Sequence, residues 1–521
     1  MSLGLFDVVG PVMHGPSSSH TAGANRIGYL AGKIMGGIPA NLEFGFHPIY
    51  YDIYAGHRTH AALTAGCLGY REDDELSVHA LEEAVQRGIS VDCYPIHEEE
   101  PHRNTMRVHG IVDQIHWEIN GISIGGGNII INRVNGVEVS LDGNNWSLLL
   151  RFSKQESMEK AGKWLAEWAG KDLKAVCHGK ESNGEWIYCG AFRQEPPKEI
   201  PEECQSDLLT FRIIKPLYLF RLNTNKKPVF STFANLMAAA EQKPLIDVVL
   251  QYESSRSGLP AKEVLTEAER LVKVSREAME KGFQEPIQLI GGLCSGREGK
   301  QMWNYSMSGQ TLMGAPFNKA LARSVVMAEM NGAMGLVVAA PTGGAAGTLP
   351  GVLFTVAEQM NADDRRLAEA FLVAAAMGVV IGNRASFSGA VGGCQSEIGI
   401  AAAMAAGGAA WLASGSTEAV VHAAALALKN ILGLTCDPPA SPVEVPCIKR
   451  NGMGTAVAFM GAEMALAGLR STVTPDDVVV ALADTQRRLP SELKGSCGGL
   501  ASTASGERMR QAWCEKLKTM Q

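Results

Sequence analysis

Residues 398–417 read IGIAAAMAAGGAAWLASGST and carry no charged side chain, and the same holds for AFLVAAAMGVVIGN at residues 370–383. Both stretches are short or dominated by Ala and Gly, so they are too weakly apolar to predict membrane-spanning helices. We interpret them as buried core helices. From residue 231 onward, Ala-rich helical patterns alternate with Gly-rich loops, which predicts an all-α domain over residues 231–521.

The chain ahead of this helical region mixes strand and helix patterns. SHTAGANRIGYLAGKIM at residues 19–35 has the spacing of a helix start, and strand-like runs continue to residue 145, which predicts an α/β domain over residues 1–145. Residues 146–194 offer a strand, an amphipathic helix and two further strands, typical of a small regulatory βαββ module. Residues 195–230 carry several prolines and no strong period, so we expect a linker. The predicted fold class is multidomain α+β.

The composition excludes some classes of function. The 521 residues include 47 Lys and Arg against 54 Asp and Glu, a net charge of -7, so no diffuse positive field exists to hold nucleic acid or an anionic membrane. The amino terminus has no basic residue before Arg26, which predicts a cytoplasmic protein without a targeting peptide. In that reducing compartment the 11 Cys are expected to be free thiols.

Three cysteines of the helical region lie in turns that contain Gly or Pro: Cys394 in GAVGGCQSEIG, Cys436 in GLTCDPPASP and Cys447 in VEVPCIKRNGMG. Such turns let the backbone wrap around a bulky group. Only His422 of the 12 His lies in the helical region, and three thiolates without a neighbouring His suit an iron–sulfur cluster better than zinc. Burial as small hydrophobic side chains, the fate of most free Cys, explains the same spacing.

Two other segments have the pattern of anion or ligand sites. SSSHT at residues 17–21 stands at a helix start, where backbone N–H groups attract a carboxylate, although an ordinary helix cap has the same pattern. PTGGAAGTLPG at residues 341–351 is a Gly-rich loop that opens into a helix and lets a ligand approach the backbone. It is not a P-loop, because no Gly-Lys-Ser/Thr follows.

Four motifs, in this order along the chain, resemble those of the iron–sulfur-dependent L-serine dehydratases: GPSSSHTAG, APTGGAAGTLPGVL, SGAVGGCQSEIG and GLTCDPPASPVEVPCIKRNGM. The resemblance covers nearly the whole chain, with the family's β and α portions fused and an ACT-like segment between them. It implies a 4Fe-4S cluster held by Cys394, Cys436 and Cys447, with the fourth iron open to substrate. An open iron would act as a Lewis acid on the substrate hydroxyl.

The resemblance also assigns roles to residues outside the cysteine turns. His57, in AGHRTH, corresponds to the family's Gly-Lys-Gly-His motif and is the main candidate for acid/base catalysis. His20 and His109 are further candidates, since a neutral imidazole accepts a proton near neutral pH, although a strand histidine such as His109 is equally well explained by packing. The residues predicted to bind the substrate are Ser17, Ser18, Ser19, Thr21, Thr59, Thr342, Gly343, Gly344 and Arg384.

Two of these positions depart from the family pattern. Gly343 stands where the serine enzymes usually have Asn, and Arg384 stands where they have the Asn of NASISG. A widened pocket with an added guanidinium would favour a larger or anionic substrate. Alternatively, Gly343 tightens a turn and Arg384 faces solvent, in which case serine is preferred.

The predicted function is deamination of L-serine to pyruvate and ammonia, within amino-acid catabolism. The alternatives are the same elimination from L-threonine, L-cysteine or a larger or anionic hydroxy amino acid, and a non-catalytic iron–sulfur or amino-acid sensor. The only partners expected are a small amino-acid substrate and a second copy of the chain in a homodimer, because the helical region is so rich in Ala and Gly. Neither nucleic acid nor a membrane is expected.

Overall fold

The computed structural model describes residues 3–98, 102–217, 227–414, 416–495 and 498–520. The chain divides into two compact units. We call Ser19–Leu222 the mixed unit, and Met1–Ser18 together with Asn223–Gln521 the helical unit. The predicted α/β domain over residues 1–145 therefore starts too early, since its first residues belong to the helical unit.

The described strands, in chain order, are β1 Val12–His14, β2 Asn41–Phe46, β3 Ser90–Pro95, β4 Thr105–Val112, β5 Ile115–Gly125, β6 Asn128–Val134, β7 Val137–Leu141, β8 Trp146–Phe152, β9 Leu173–Lys180, β10 Trp186–Phe192, β11 Leu208–Ile214 and β12 Leu336–Val338. The described α-helices are α1 Gly23–Met35, α2 Pro48–Tyr51, α3 Thr59–Cys67, α4 Ala80–Gln86, α5 Gln155–Ala169, α6 Glu202–Gln205, α7 Phe233–Ala240, α8 Leu245–Ser257, α9 Ala261–Gln284, α10 Glu298–Met307, α11 Gly314–Gly332, α12 Thr348–Met360, α13 Asp364–Gly382, α14 Gly389–Gly392, α15 Ile400–Ser414, α16 Thr417–Lys429, α17 Cys447–Leu466, α18 Pro475–Arg488 and α19 Ala504–Met520. Two π-helical turns, Ser18–Ala22 and Gln395–Gly399, lead directly into α1 and α15.

The first sheet of the mixed unit has the strand order β3-β2-β4-β5-β6-β7. Strands β2 and β3 are parallel, and the other neighbours are antiparallel. Helices α1 and α3 pack against each other, and α1 covers one face of the sheet. Ile27 and Ile34 of α1 are fully buried with Phe44 and Phe46 of β2. This apolar contact holds α1 against the first sheet.

The second sheet of the mixed unit has the strand order β11-β8-β10-β9 and is antiparallel throughout. The middle of strand β8 is a run of three leucines because its two faces serve different cores: Leu148 and Leu150 pack with α5, while Leu149 packs into the core of the first sheet. The predicted βαββ order of residues 146–194 matches β8, α5, β9 and β10. Its identity as an ACT-like module stays a prediction.

The prediction of a linker over residues 195–230 is wrong for its middle part. Helix α6 packs against α5, and β11 adds a fourth strand beside β8, so the chain order in this sheet is βαββαβ. The prolines that indicated a linker flank these elements, and β11 itself, LLTFRII, has strand propensity. Residues 218–226 of the predicted linker lie outside the described residues.

The helical unit is built around α15, whose residues 400–410 are buried on all sides by α12, α13, α16 and α17. Gln395–Ala413 has the length and hydropathy of a membrane span, yet most of it lies inside the protein, as in the core helix of a globular domain. The sequence interpretation of a buried core helix is confirmed for residues 398–412, whereas Ala413 and Ser416 are exposed and Thr417 begins α16. Small residues allow the close packing, since a β-carbon on Gly408 would lie 2.9 Å from Leu353.

This unit is not wholly helical as predicted. Strand β1 pairs antiparallel with β12, with Val12 opposite Val338 and His14 opposite Leu336. These partners are more than 300 positions apart in the chain, so no local pattern could reveal the pairing. The pair joins the amino-terminal segment to the strand that precedes the Gly-rich loop.

Candidate functional site

The three predicted cluster cysteines lie at helix ends and loops of the helical unit. Cys394 directly precedes the π-helical turn that begins α15, and Cys447 is the first residue of α17. Cys436 lies in the loop between α16 and α17. Gly393 brings two of these loops together, because its φ is +78° and a β-carbon there would lie 2.7 Å from the carbonyl oxygen of Leu434. Any side chain at this position would separate the cysteine turns.

The thiols of Cys394 and Cys436 converge with the carboxylate of Glu397, and their ligand atoms all lie within 4.8 Å of one another. Cys447 does not belong to that compact group, but it interacts electrostatically with Cys394 and Glu397. Burial raises the pKa of the Cys447 thiol, and a hydrogen bond with Cys394 together with burial raises that of Cys436. These are therefore neutral thiols unless a metal displaces their protons. Three soft sulfur donors without a histidine fit an iron–sulfur cluster.

Arg450 ties the cysteine loops to one another. Its Nη2 donates to Asp437 Oδ1 at 2.7 Å and its Nη1 donates to the carbonyl oxygen of Thr435 at 2.8 Å. The same Nη1 lies 3.6 Å from Cys394 Sγ, within reach of a sulfur acceptor. The guanidinium thus holds the Cys436 loop against α17 and places a positive charge beside a predicted metal ligand.

The Gly-rich loop joins this cluster through two polar side chains. Thr342 Oγ1 donates to Glu397 Oε1 at 2.9 Å. Asn451 Nδ2 donates to the carbonyl oxygen of Gly344 at 2.8 Å, and Asn451 Oδ1 accepts from the Gly347 amide at 3.0 Å. Because Asn451 lies in the first turns of α17, the loop and Cys447 are positioned by one element. Thr342 and Gly344 are thereby brought close to Glu397, and their predicted role in substrate binding stays a prediction.

Gly343 packs against the amino-terminal segment of the same unit. A β-carbon on Gly343 would lie 3.1 Å from Asn331 Oδ1, 3.2 Å from the carbonyl oxygen of Pro16 and 3.2 Å from the amide nitrogen of Ser18. Asn331 Nδ2 donates to that carbonyl oxygen at 2.8 Å. Gly343 therefore permits a close backbone contact, which favours the alternative that it tightens a turn over the one that it widens a pocket.

Two buried polar atoms in this region lack a protein partner among the described residues, Ser18 Oγ and Asn331 Oδ1. Both side chains are almost completely buried, at 1% exposure each. Buried polar atoms normally make hydrogen bonds, so these two are candidates to contact a polar ligand or water. Ser17 is half-buried and Ser19 is buried.

Two of the predicted histidines lie side by side in the mixed unit. The ring centroids of His20 and His57 are 4.7 Å apart. Those of His20 and Tyr50 are 4.5 Å apart, with the two rings nearly perpendicular. Thr21 Oγ1 donates to the carbonyl oxygen of His57 at 2.8 Å and so ties the helix start to the AGHRTH turn. Thr59 is buried at the start of α3. The spacing of SSSHT and AGHRTH in sequence gave no indication that they touch.

Burial keeps both imidazoles neutral. It lowers the pKa of His57 to about 4, although a hydrogen bond to the carbonyl oxygen of Ile53 acts in the opposite direction. Burial, followed by the proximity of His57, also lowers the pKa of His20 well below its usual value. Each ring therefore has an unprotonated nitrogen at neutral pH. The same burial makes each ring a weaker base than an exposed imidazole.

These shifts predict that acid destabilises the protein. His57 titrates at about 4 when folded and near 6.5 when unfolded, so between these pH values the unfolded chain binds more protons and the free energy of unfolding falls as pH falls. His60, whose burial lowers its pKa to about 3, acts in the same direction. We expect a lower urea midpoint at about pH 5 than at about pH 7, with a smaller difference in His57→Gln. An unchanged difference in the variant would contradict this assignment.

His109 and Arg384 have other surroundings. His109, on β4, lines a cavity of about 1000 Å³ in the mixed unit, and its Nε2 lies 3.7 Å from Glu118 Oε2. Burial lowers the pKa of His109, but its neighbours are not those of His20 and His57. Arg384 is exposed in the turn after α13. Their catalytic and substrate-binding roles stay predictions.

Sequence reasoning missed several residues of the cysteine region, namely Glu397, Arg450, Asn451 and Asn331. The first three lie inside the motifs CQSEIG and CIKRNGM, so their closeness to the cysteines was the available signal. Asn331 lies at the end of α11 and carries no such signal. In the mixed unit, Tyr50 was missed for the same reason.

The chain is similar to known proteins. Residues 240–501 match the family described as "Serine dehydratase alpha chain". The probable L-serine dehydratase alpha chain of Bacillus subtilis (strain 168) is 35% identical over 286 residues, covering 54% of this chain and 95% of that protein. The L-serine dehydratase alpha chain of Peptoniphilus asaccharolyticus is 34% identical over 272 residues, covering 51% and 91%.

A third relative, the L-serine dehydratase TdcG of Escherichia coli (strain K12), is 35% identical over 241 residues, covering 44% of this chain and 52% of that protein. The chain therefore belongs to the L-serine dehydratase family, and its helical unit contains the part that corresponds to the family's alpha chain. The family resemblance predicted from the four motifs is confirmed.

Proposed function

We propose that the protein is an iron–sulfur L-serine dehydratase, which converts L-serine to pyruvate and ammonia. The observation that carries the proposal is the convergence of the Cys394 and Cys436 thiols with Glu397, in a member of this family. The ligands of the proposed 4Fe-4S cluster are Cys394, Cys436 and Cys447. When bound, such a cluster supplies a Lewis acid for the hydroxyl that leaves the substrate.

The roles of the chain's own residues follow from their chemistry. His57, neutral at physiological pH, takes the proton from Cα, and His20 is the second candidate for that task. Ser17, Ser18 and Ser19 donate to the substrate carboxylate at the start of the helix, and Thr21 contributes its backbone N–H, because its hydroxyl donates to the carbonyl oxygen of His57. Asn331 Oδ1, a buried acceptor, suits the substrate ammonium group. Loss of the proton and the hydroxyl leaves an aminoacrylate, which water hydrolyses to pyruvate and ammonia.

L-Serine is the substrate that the surroundings of Gly343 and Arg384 favour. The space beside Gly343 is filled by Pro16 and Asn331, and Arg384 is exposed, so neither residue adds volume or a buried cation for a larger side chain. A small β-hydroxy amino acid then fits best. The homodimer and the cytoplasmic location stay predictions.

The proposal is tested by anaerobic purification, reconstitution with iron and sulfide, and measurement of ammonia and pyruvate. We expect an iron–sulfur absorption spectrum and the highest kcat/KM with L-serine, compared with L-threonine, L-cysteine and a hydroxy amino acid that carries a second carboxylate. Activity should decay in air and return with iron and reductant. A loaded cluster without turnover of any of these substrates would support the sensor alternative instead.

The specificity argument gives a separate prediction. The double variant Gly343→Asn with Arg384→Asn should keep the ratio of kcat/KM for L-serine to that for the larger substrates within about twofold, because Gly343 packs against Pro16 and Asn331 and Arg384 is exposed. Its absolute activity should fall, since a side chain at position 343 crowds Pro16 and Ser18. Arg384→Asn alone is the matched control and should resemble the parent. A shift of about tenfold toward serine in the double variant would mean that these positions set specificity.

A further inference from the structure

Glu397 places a carboxylate among the thiols that are proposed to hold the cluster. It follows Cys394 by three positions, within the π-helical turn Gln395–Gly399. A carboxylate oxygen of Glu397 and the sulfur atoms of Cys394 and Cys436 all lie within 4.8 Å of one another. Cys394 precedes this turn and Glu397 lies within it, and residues three positions apart on a helical turn share one face, so both side chains reach the same point. Turns of the π type are frequent at functional sites.

The position of this carboxylate is fixed by its surroundings. Thr342 Oγ1 donates to Oε1 at 2.9 Å. Glycine backbone lines the other side: a β-carbon on Gly389 would lie 2.6 Å from Oε2, and one on Gly344 would lie 3.4 Å from Oε1. A larger residue at position 389 would push the carboxylate away from Cys436, whose Sγ lies 3.5 Å from the same β-carbon position. The glycines at positions 344 and 389 therefore leave the space that the Glu397 carboxylate occupies.

The cationic side chains that follow Cys447 are paired with other acceptors. Arg450 pairs with Asp437, and Lys449 pairs with Glu298. Among the ion pairs of the described residues, none joins Glu397 to a cation. Glu397 is partly buried and its Oε1 accepts a hydrogen bond from Thr342, so its carboxylate oxygens keep lone pairs that can bind an electrophilic iron.

We propose that the Glu397 carboxylate is a fourth protein ligand, which binds the iron that Cys394, Cys436 and Cys447 leave open when no substrate is present. This inference rests on the proposed function, because it requires the cluster. A carboxylate oxygen is a harder and weaker ligand for this iron than a thiolate, so a substrate oxygen can replace it. The exchange breaks one iron–oxygen bond and forms another, without electron transfer. Thr342 then retains the released carboxylate through its hydrogen bond.

The decisive variant is Glu397→Gln, with Glu298→Gln as the matched control. Glutamine has the same size, and its amide oxygen can still accept from Thr342, but it lacks the negative charge that favours binding to iron. Glu298 loses the same charge in the control, at a residue whose carboxylate pairs with Lys449. Both variants are reconstituted anaerobically with enriched iron in the exchangeable position and compared by Mössbauer spectroscopy without substrate.

We expect Glu397→Gln to change the isomer shift and quadrupole splitting of that single iron, while Glu298→Gln matches the parent. The exchangeable iron should also be lost about tenfold faster to a chelator in Glu397→Gln. Unchanged Mössbauer parameters and an unchanged rate of iron loss in a loaded Glu397→Gln protein would overturn the proposal.

A measurement on the parent protein covers the case in which Glu397→Gln fails to load or fold. Water labelled with a magnetic oxygen nucleus is added to the reduced, substrate-free protein, and the line width of its EPR signal is recorded. Absence of broadening supports a protein ligand at the open iron, and broadening by bound water overturns it. A parent protein that holds no cluster under any condition refutes the proposed function itself, so the two failures are distinct.

Discussion

Cys436→Ala is expected to abolish the deamination of L-serine and the iron–sulfur absorption spectrum together. Cys436 lies in a loop that Arg450 and Asp437 hold against α17, and its thiol is one of two that converge with Glu397. Removing it leaves two thiolates for a cluster that requires three, so iron content per chain should fall to background after reconstitution. The fold should persist, because Cys436 is only partly buried and is not part of the apolar core.

The matched control is Cys514→Ala, which removes an exposed thiol from α19. It should retain both the spectrum and the activity. Iron analysis, the absorption spectrum and far-ultraviolet circular dichroism are measured on the same preparations. A Cys436→Ala protein with the iron content and activity of the parent would contradict the assignment of Cys436 as a cluster ligand. An unfolded variant would be recognised by its circular dichroism spectrum.

His57→Ala is expected to lower kcat for L-serine by about 10²–10⁴-fold, the range typical of a lost general base, with little change in the cluster spectrum. The physical reason is that burial leaves the His57 imidazole unprotonated at neutral pH, ready to take the Cα proton. His20 lies beside it, with ring centroids 4.7 Å apart, and sustains part of the remaining rate.

The control for this variant is His116→Ala, since His116 is an exposed histidine on β5. It should leave kcat and KM within about twofold of the parent values. Steady-state rates and absorption spectra are measured for both variants under anaerobic conditions. Equal losses in the two variants, or a loss confined to His116→Ala, would contradict the assignment of His57.

The sequence predicted the cysteine positions and the family, but not how the cysteines are supported. Cys394, Cys436 and Cys447 stand in turns whose Gly and Pro content is visible locally. The contacts of Arg450 and Asn451 depend on how α17 packs against distant loops, which short motifs do not encode. Glu397 follows Cys394 by only three positions, but the sequence alone does not distinguish it from a surface glutamate. Its closeness to the Cys394 and Cys436 thiols is visible only in the folded chain.

The same limit applies to the fold. Residues 398–412 carry no polar side chain, so their burial follows from composition alone. The sequence did not reveal strand β11, because prolines flank it and its partner β8 lies more than fifty positions away. The pairing of β1 with β12 was beyond local reasoning as well. Long-range pairing, rather than local propensity, accounts for these errors.

The pairing of β1 with β12 also has a consequence for biosynthesis. Val12–His14 leaves the ribosome first, but its partner Leu336–Val338 is made only after the whole mixed unit. The mixed unit is a continuous segment, Ser19–Leu222, and can fold as soon as it is complete. The helical unit is discontinuous, so its amino-terminal strand must stay unpaired during the synthesis of more than 300 residues. Completion of the unit that contains the cysteines is thus a late step of folding, and the proposed cluster would be assembled after it.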